Sequence, residues 1–506
     1  MQIQEHNSKR WWALAGMSLS SFLGCIDFTI VNTGLPNIQA DLSATVTQLQ
    51  WIINIFLVAL AALMVIMGRL SDLYGRRRAL YIGMLVFGLA SLGAGLSPNI
   101  HWLIFFRFAQ AIGVAILYTV PVAIISSMFP INERAKATGI LFGVNGFGLA
   151  IGPVVGGFII SALSWRWIFF VNLPIVIISF LMCVRTVIES KSSEHGDSID
   201  WLGFILLAIS FPLLILTTVQ ASSWGWNSPL VYILYAVALA CLVLFYFVEK
   251  HSKSPIIKLN LLANRIFIVG ATANMLLAFF YTVAFFILPL YLHSIMGQSS
   301  DLIGLTLLPA TLLVALLSPV VGHTVEKYGV KINLMFGFVL FALSAYLQTR
   351  FSSDTHLTFI ITALIFLGIG WAFILSPSFI AALMNLPESV AGVGMGAMGT
   401  LHNFGGALGL ALGTLLYHHQ AKVVLLEQSV KQNFPTGSWM EQAISKPEDA
   451  VQTIVQATHL DTNSATRLFM DFFTHSFSSL MWLLVGISVA GFLVILLGLK
   501  RPNKKI

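Results

Sequence analysis

The chain is poor in charge. Of its 506 residues only 9% are Asp, Glu, Lys or Arg, whereas 57% are hydrophobic. A soluble domain carries about 25% charged residues, so a chain of this composition cannot cover a water-exposed surface with polar groups. The apolar residues form closely spaced runs of about 20, the length that a helix needs to cross a bilayer. These features exclude a soluble protein and favour membrane helices over a β-barrel.

Cysteine is scarce as well. Cys25, Cys183 and Cys241 are the three thiols, all lie in apolar runs, and no two form a CxxC pair. The pattern excludes a disulfide framework and a thiolate metal site, so no metal is expected. The net charge of +7 does not indicate a nucleic-acid partner, because the basic residues lie in short loops between apolar runs, where they set orientation in the membrane.

The apolar runs predict fourteen membrane spans. Their approximate limits are 11–35, 48–68, 79–97, 101–124, 137–162, 166–186, 201–219, 229–249, 266–292, 302–321, 332–349, 356–380, 395–418 and 477–500. The first run is too long and too polar for a signal peptide, so we expect it to be retained. Loops and tails on the side of the N-terminus hold twenty basic residues, whereas the short opposite loops hold two. We therefore expect a multi-pass protein of the inner (plasma) membrane with both termini in the cytoplasm.

The two ends of the chain repeat each other. The pattern Gly-x3-acid-x2-Gly begins at Gly68 and again at Gly322, 254 positions later. Four glycines recur 257 positions later: Gly139, Gly148, Gly152 and Gly156 as Gly396, Gly405, Gly409 and Gly413. Constant offsets across separate spans indicate duplicated halves, which in transporters move about a shared site.

This repeat sets the expected domains. We predict an N-terminal six-helix bundle over 1–190, two inserted spans over 191–262, and a C-terminal six-helix bundle over 263–506. The polar segment 419–475 interrupts the last bundle on the extracytoplasmic side. Its helical periodicity predicts a cap of short helices, and a solvated tether is the alternative.

Asp27 and Arg107 carry charge deep inside predicted spans. Counted at 1.5 Å per residue, they lie about 10 Å and about 9 Å inside the outer ends of spans one and four, so they can share a depth and pair. A buried carboxyl group that gains and loses a proton near neutral pH is what proton coupling requires. The alternatives are a carboxylate that only holds helices in register and a permanent structural ion pair.

Several motifs resemble those of the major facilitator superfamily. The loop from Gly68 to Arg78 is similar to its cytoplasmic-loop motif, and Leu103-x3-Arg107-x2-Gln110-x2-Gly113 to its fourth-helix motif, with Ala111 where glycine is usual. The run Gly148-x3-Gly152-Pro153-x2-Gly156-Gly157 resembles the fifth-helix motif of its antiporters. The segment Asp27-Phe28-Thr29-Ile30-Val31-Asn32 followed by Leu35-Pro36 resembles the first-helix signature of the fourteen-span drug:proton antiporters of EmrB/QacA type.

The resemblance implies an all-α fold of two six-helix bundles, plus two inserted helices, around a central cavity worked by alternating access. It implies that Asp27 and Arg107 couple transport to a proton or cation. It further implies a cytoplasmic gate and a hinge-like helix at the bundle interface. The gate residues are Gly68, Asp72, Gly75 and Arg76, and the hinge residues are Gly148, Gly152, Pro153, Gly156 and Gly157. The second-half acidic residue of the superfamily is not found in a span here.

The predicted function is proton-driven export of amphipathic or cationic small molecules, with the proton gradient as energy source and no cofactor. The alternative is a dedicated metabolite, lipid or siderophore transporter. No HExxH or nucleophile–base cluster occurs, so an enzyme is not expected, and a channel would not need duplicated halves. A periplasmic adaptor as partner is left open. Candidates for the substrate cavity, each with helix-to-helix hydrogen bonding as the alternative, are Asn32, Asn145, Asn274, Tyr281, His402 and Asn403.

Overall fold

The structure is a computed structural model that describes residues 2–44, 46–191, 200–225, 227–252, 264–298, 300–383, 391–445 and 450–499. Throughout these ranges the chain is helical and forms no strand, so the expected all-α fold is confirmed. The helices are α1 Gln2–Leu42, α2 Val46–Tyr74, α3 Arg76–Gly95, α4 Ile100–Met128, α5 Ile131–Ala162, α6 Trp167–Phe170, α7 Asn172–Thr186, α8 Trp201–Trp224, α9 Pro229–His251, α10 Arg265–Ser294, α11 Ser300–Tyr328, α12 Val330–Gln348, α13 Leu357–Leu383, α14 Ala391–Gln432, α15 Ser438–Ser445, α16 Ala450–Thr458 and α17 Thr462–Gly498.

Each predicted span falls on one of these helices, except 166–186, which covers α6 and α7; the number of spans is not confirmed as fourteen. Within the described ranges, eleven helices are long and apolar enough to cross a membrane, and α5 makes a twelfth if its two arms, bent by 43°, count as one span. Helix α8 qualifies only as a shorter apolar helix, Leu202–Thr218. Helix α14 is less apolar because His402 and Asn403 lie within its membrane-spanning part.

Glycines let the helices of each half pack closely and in the same way. A Cβ atom on Gly113 of α4 would lie 2.7 Å from Phe87 of α3, and one on Gly370 of α13 would lie 2.6 Å from Phe341 of α12. Both contacts are too short for any side chain, so these crossings require glycine. The predicted boundary at 262/263, between the inserted spans and the C-terminal bundle, lies outside the described residues.

The two halves meet through α5 with α11 and α2 with α14. Gly139 and Gly143 of α5 approach the backbone oxygens of Ser318 and Ala315, at 2.8 and 3.0 Å from the Cβ positions, and Gly396 of α14 packs on Val65. These contacts lie toward the membrane side that carries the 68–78 loop. At the opposite ends of α5 and α11, open space surrounds the Cβ positions of Gly157 and Gly304.

The polar segment 419–475 forms a small helical cap. Helix α14 runs through its first residues to Gln432, and α17 begins within it at Thr462. The two helices between them, α15 and α16, bury a shared apolar cluster. Its members are Trp439, Met440, Ile444 and Ile454. The short helices expected from periodicity are therefore present in this segment.

Candidate functional site

Asp27 of α1 lies in the interior of the N-terminal half and is fully buried. Its Oδ2 atom pairs with the guanidinium of Arg107 on α4. Its Oδ1 atom accepts hydrogen bonds from Nε2 of Gln110 and from Nδ2 of Asn172, each at 3.1 Å. Nε2 of Gln110 also donates to Oγ of Ser91 on α3, at 2.8 Å. The carboxylate thus joins α1 to α4 and α7, and Gln110 extends the cluster to α3.

Arg107 makes several contacts besides its ion pair with Asp27. Its Nη1 atom donates to Oε1 of Gln110 at 2.8 Å, and its Nε atom donates to the backbone oxygen of Ile52 on α2 at 3.3 Å. The guanidinium carbon lies 4.2 Å from the ring centroid of Phe56, a distance typical of a cation–π contact. The structure therefore places Asp27 and Arg107 in contact, as expected from their similar depths along the predicted spans.

The surroundings of Asp27 offset its buried charge. A cation pairs with Oδ2 and two amide N–H groups donate to Oδ1. A proton that binds Asp27 must therefore compete with Arg107, and release of Arg107 would leave a buried charge without a partner. Asp27 has no exposed surface in this structure.

The predicted cytoplasmic gate forms a second ionic cluster. Arg76 donates from Nε to Oδ1 of Asp72 at 2.9 Å and from Nη1 to the backbone oxygen of Ala123 at 3.3 Å, and both charged side chains are buried. The N-terminus of α3 is bound by Glu189, which accepts from the backbone N–H groups of Arg77 and Arg78 at 3.0 and 3.3 Å. A carboxylate there stabilises the helix. The sequence did not single out Glu189.

The two gate glycines are Gly68 and Gly75, and Gly75 is closely packed. Gly75 has φ +114°, and a Cβ atom on it would lie 2.8 Å from Oε1 of Glu189. The backbone oxygen of Gly68 accepts a hydrogen bond from Oγ of Ser71 at 2.7 Å. Only glycine fits the conformation and the space at 75.

The glycine helix α5 packs its outer half on α1. A Cβ atom on Gly148 would lie 2.8 Å from Phe22, and one on Gly152 would overlap Oγ1 of Thr29 and approach the backbone oxygen of Ile26. The bend of α5 falls between Leu149 and Val154, the stretch that contains Pro153. Gly156 is buried, Gly157 is exposed, and the side chain of Pro153 lies outside the described part. Of the predicted hinge residues, Gly148 and Gly152 thus lie against the helix that carries Asp27.

Replacing Gly152 by alanine is expected to push α5 away from α1, because the added methyl group would overlap Oγ1 of Thr29. We expect this displacement to lower the transport rate at least tenfold. Gly157→Ala is the matched control, since nothing lies within 4 Å of that Cβ position. Transport rates and thermal unfolding temperatures of both variants in proteoliposomes test this. Adding Thr29→Ala should restore part of the loss; equal behaviour of Gly152→Ala and Gly157→Ala would contradict the packing argument.

Three of the predicted cavity residues meet in the C-terminal half. His402 of α14 bonds through Nδ1 to Oδ1 of Asn274 at 3.2 Å and through Nε2 to the hydroxyl of Tyr281 at 3.1 Å, both on α10. The ring of Tyr281 stacks on Trp371 of α13 with centroids 4.5 Å apart, and Phe285 meets Trp371 edge-on at 5.6 Å. These five residues are called the aromatic cluster below. Trp371 and Phe285 were not predicted, since their type is common in membrane helices.

The other candidates lie elsewhere. Asn145 of α5 is buried, and its Oδ1 atom has no hydrogen-bond partner within the described residues. Nδ2 of Asn403 donates to the backbone oxygen of Gly399 at 2.9 Å and contacts Sδ of Met64 in the opposite half at 3.6 Å. Asn32 lies in α1, and its side chain is outside the described part. The cavity residues are thus divided between the halves.

Comparison with known proteins matches this architecture. The Major Facilitator Superfamily profile fits residues 17–410. The multidrug resistance protein Stp of Mycobacterium tuberculosis is 30% identical over 416 residues, which cover 81% of this chain and 76% of Stp. The riboflavin transporter RibZ of Clostridioides difficile is 30% identical over 403 residues, which cover 80% and 87% of the two chains.

A solved structure shares the fold. The human organic anion transporter MFSD10 (TETRAN) superposes with a TM-score of 0.61 at 13% identity, over 96% of this chain and 99% of that one. At such identity the likeness concerns the fold alone. The profile match, the transporter relatives and the paired helical halves lead to one assignment: the chain belongs to the major facilitator superfamily and is a membrane transporter rather than an enzyme.

Proposed function

We propose that the protein is a proton-coupled antiporter that exports amphipathic small molecules by alternating access, as a fourteen-helix member of the superfamily with both termini in the cytoplasm. The observation that carries the proposal is the buried cluster of Asp27, Arg107, Gln110 and Asn172. Removing a carboxylate from water costs several kcal/mol, and Arg107 and the two amides offset that cost only while they stay in contact with it. That cost suits a group whose protonation changes during a transport cycle.

The packing of the halves supports alternating access. Glycine-lined contacts bring α5 onto α11 and α2 onto α14 near the 68–78 loop, while nothing lies within 4 Å of the Cβ positions of Gly157 and Gly304 toward the outer ends. Small residues permit helices to slide and to separate without unfilled space. The gate pair Asp72 and Arg76 lies at the same membrane side as the tight contacts and stabilises the loop that borders them.

Export of drugs is favoured by the relatives, several of which are named for resistance to antibiotics or to many drugs. The second candidate is a dedicated metabolite transporter, for which the relative named a riboflavin transporter is the specific support. The two candidates predict different results for proton release from the protein. A drug exporter should release protons when many chemically unrelated compounds bind, whereas a dedicated transporter should release them with a single compound.

Proteoliposomes with an acidic lumen test the proposal. Added substrate should accumulate inside while the lumen becomes more alkaline, and a gradient of one pH unit, about 1.4 kcal/mol per proton, should sustain about tenfold accumulation for each proton exchanged. Collapsing the gradient with an ionophore should abolish accumulation. Uptake that continues unchanged after collapse would reject antiport and favour a channel. Proton release by a single compound of a chemically diverse panel would favour the dedicated transporter.

A further inference from the structure

The buried cluster around Asp27 contains one acceptor without a partner. Oδ1 of Asn172 is buried and accepts no hydrogen bond from the described residues. Nδ2 of the same amide donates to Oδ1 of Asp27 at 3.1 Å and lies 3.5 Å from Oγ of Ser91. An unpaired buried oxygen is rare and destabilising. The amide is therefore held in place by its nitrogen end alone.

The charge of Asp27 sets the present orientation of this amide. An ionised carboxylate only accepts hydrogen bonds, so a neighbouring amide must turn its N–H groups toward it. A carboxyl group that has taken up a proton carries an O–H donor, and that donor needs an acceptor. Protonation of Asp27 therefore reverses what it requires of its neighbours.

Of the hydrogen-bond partners that the structure describes for Asp27, only Asn172 can supply that acceptor. The guanidinium of Arg107 has donors alone. Gln110 is fixed as a donor, because its Oε1 atom accepts from Nη1 of Arg107 at 2.8 Å and a reversed amide would set two donors against each other. The oxygen end of Asn172 has no such bond to lose.

A half-turn of the Asn172 amide about its Cβ–Cγ bond brings the oxygen to the place of the nitrogen. That place is 3.1 Å from Oδ1 of Asp27, so a small shift completes an O–H···O hydrogen bond. Torsions of this kind are broad and nearly two-fold. Oγ of Ser91 can donate to the oxygen as it now accepts from the nitrogen. Because either orientation leaves one end of the amide unpaired, the reversal itself costs little.

Other ionisable groups do not share this change. Arg107 of α4 is the cation that pairs with Asp27, and the partners of the carboxylate on α3 and α7 carry no charge. The hydroxyl of Tyr118, also on α4, contacts Sγ of Cys25 at 3.2 Å instead. In the part of the chain that the structure describes, no histidine and no second carboxylate bonds to Asp27.

We propose that Asn172 is a positioning residue that reverses with the protonation of Asp27: it donates to the carboxylate and accepts from the carboxyl group. The proton adds to Oδ1, so Oδ2 keeps its contact with Arg107. The contacts from α1 to α4 and α7 thus persist in both protonation states. This proposal deepens the proposed function and rests on it for the claim that Asp27 takes up a proton.

Infrared difference spectroscopy of the protein in liposomes, between neutral and acidic pH and without substrate, tests the proposal. A carboxyl C=O band should appear on acidification and be missing in Asp27→Asn, which assigns it. Asn172→Leu replaces the amide by an apolar side chain of similar shape. The O–H group then lacks an acceptor, and the band should move to higher wavenumber.

Gln348→Leu is the matched control. Gln348 on α12 is also a fully buried amide whose oxygen has no partner within the described residues, but its Nε2 atom donates to the hydroxyl of Ser344, at 3.0 Å, rather than to a carboxylate. This variant should leave the Asp27 band in place.

A second measurement needs no variant of Asn172. Protein from cell-free synthesis, with asparagine isotopically labelled at the side-chain carbonyl, should show one labelled C=O band that moves to lower wavenumber on acidification. The reason is that Oδ1 of Asn172 gains a hydrogen bond. The change should be lost in Asp27→Asn.

The outcomes separate this proposal from the proposed function. An Asp27 band that stays in place in Asn172→Leu, or the lack of a labelled carbonyl that responds to pH, would overturn the role of Asn172 and leave proton uptake by Asp27 standing. If acidification produced no carboxyl band that Asp27→Asn removes, proton uptake itself would be rejected, and both proposals with it.

Discussion

Asp27→Asn is expected to abolish accumulation of substrate against its gradient, while the protein stays folded and still exchanges substrate down its gradient. The amide oxygen of the substituted side chain can accept from Arg107, which also keeps its bonds to Gln110 and to the backbone oxygen of Ile52. The substitution nevertheless leaves Arg107 buried without an anionic partner and replaces one of the two acceptor oxygens by an amide N–H, so the free energy of unfolding should fall by about 3–5 kcal/mol. What is lost entirely is the group that binds and releases a proton.

The measurement compares gradient-driven uptake with counterflow exchange in the same proteoliposomes. Uptake should fall to the level of empty vesicles, and exchange should stay within about threefold of the unaltered protein, since an asparagine resembles the protonated state in charge. Undiminished uphill uptake by Asp27→Asn would reject the assigned role.

Asp41→Asn supplies the matched control on the same helix. Hydrogen bonds from Arg166 and then from Trp165 hold the pKa of the Asp41 carboxyl below its usual value. It therefore stays ionised at the pH of the assay and exchanges no proton there. Asp41 is largely exposed at the outer end of α1, so its replacement should leave coupling intact. Loss of uphill uptake in both variants would indicate damage to α1 rather than loss of a coupling group.

The charge pair could be predicted from the sequence because two simple rules sufficed. A charged residue within an apolar run is exceptional, and counting 1.5 Å per residue compared the depths of Asp27 and Arg107. Asn172 and Ser91, which complete the cluster, gave no such signal, because single amides and hydroxyls are common in membrane helices and are as often bonded to their own backbone. Only the packing of α3 and α7 reveals them.

The gate and the aromatic cluster show the same limit. Asp72 and Arg76 could be singled out from the motif of the 68–78 loop, but Glu189 lies more than 110 positions from the α3 terminus that it binds. In the C-terminal half, Tyr281 and His402 could be singled out as polar, whereas Trp371 looked like an ordinary lipid-facing or core residue until its stacking partner was known. Contacts between distant segments carry the missing information.

The two halves differ most where the charges lie. Contacts at glycines align α1 with α10 at an offset of 253 residues. Phe22 contacts Gly148 as Met275 contacts Gly405, and Ile26 contacts Gly152 as Phe279 contacts Gly409. At that offset Phe280 stands where Asp27 does, and at the helix-four offset of 257 Leu364 stands where Arg107 does. Phe280 and Leu364 are fully buried, and Phe280 stacks on Phe341 at 4.1 Å.

This comparison separates stability from coupling. The C-terminal half packs an aromatic and an aliphatic side chain at the positions where the N-terminal half encloses an ion pair, so the fold itself does not require charge there. A buried ion pair is often no more stabilising than a well-packed apolar pair of similar volume. The proposed coupling needs the charges of this pair, and Phe280 stands at the corresponding position of the other half.

The stability of variants tests this view most sharply. Arg107→Leu leaves Asp27 buried without its cation and should lower the free energy of unfolding by about 3–5 kcal/mol. Adding Asp27→Asn removes the uncompensated charge and should recover most of that loss, so that the double variant is more stable than Arg107→Leu alone. The free energies are measured by denaturant unfolding in mixed micelles, followed by intrinsic fluorescence.

Arg166→Leu is the control for losing an arginine from an ion pair. Its partner Asp41 is exposed, so the cost should stay below about 1 kcal/mol. If the losses from Arg107→Leu and Asp27→Asn simply add, the two charges are not coupled, and the buried cluster cannot pass the effect of a bound proton from α1 to α4. We expect the double variant to recover its free energy of unfolding but to lack uphill transport. That result would separate the packing role of these positions from their role in coupling.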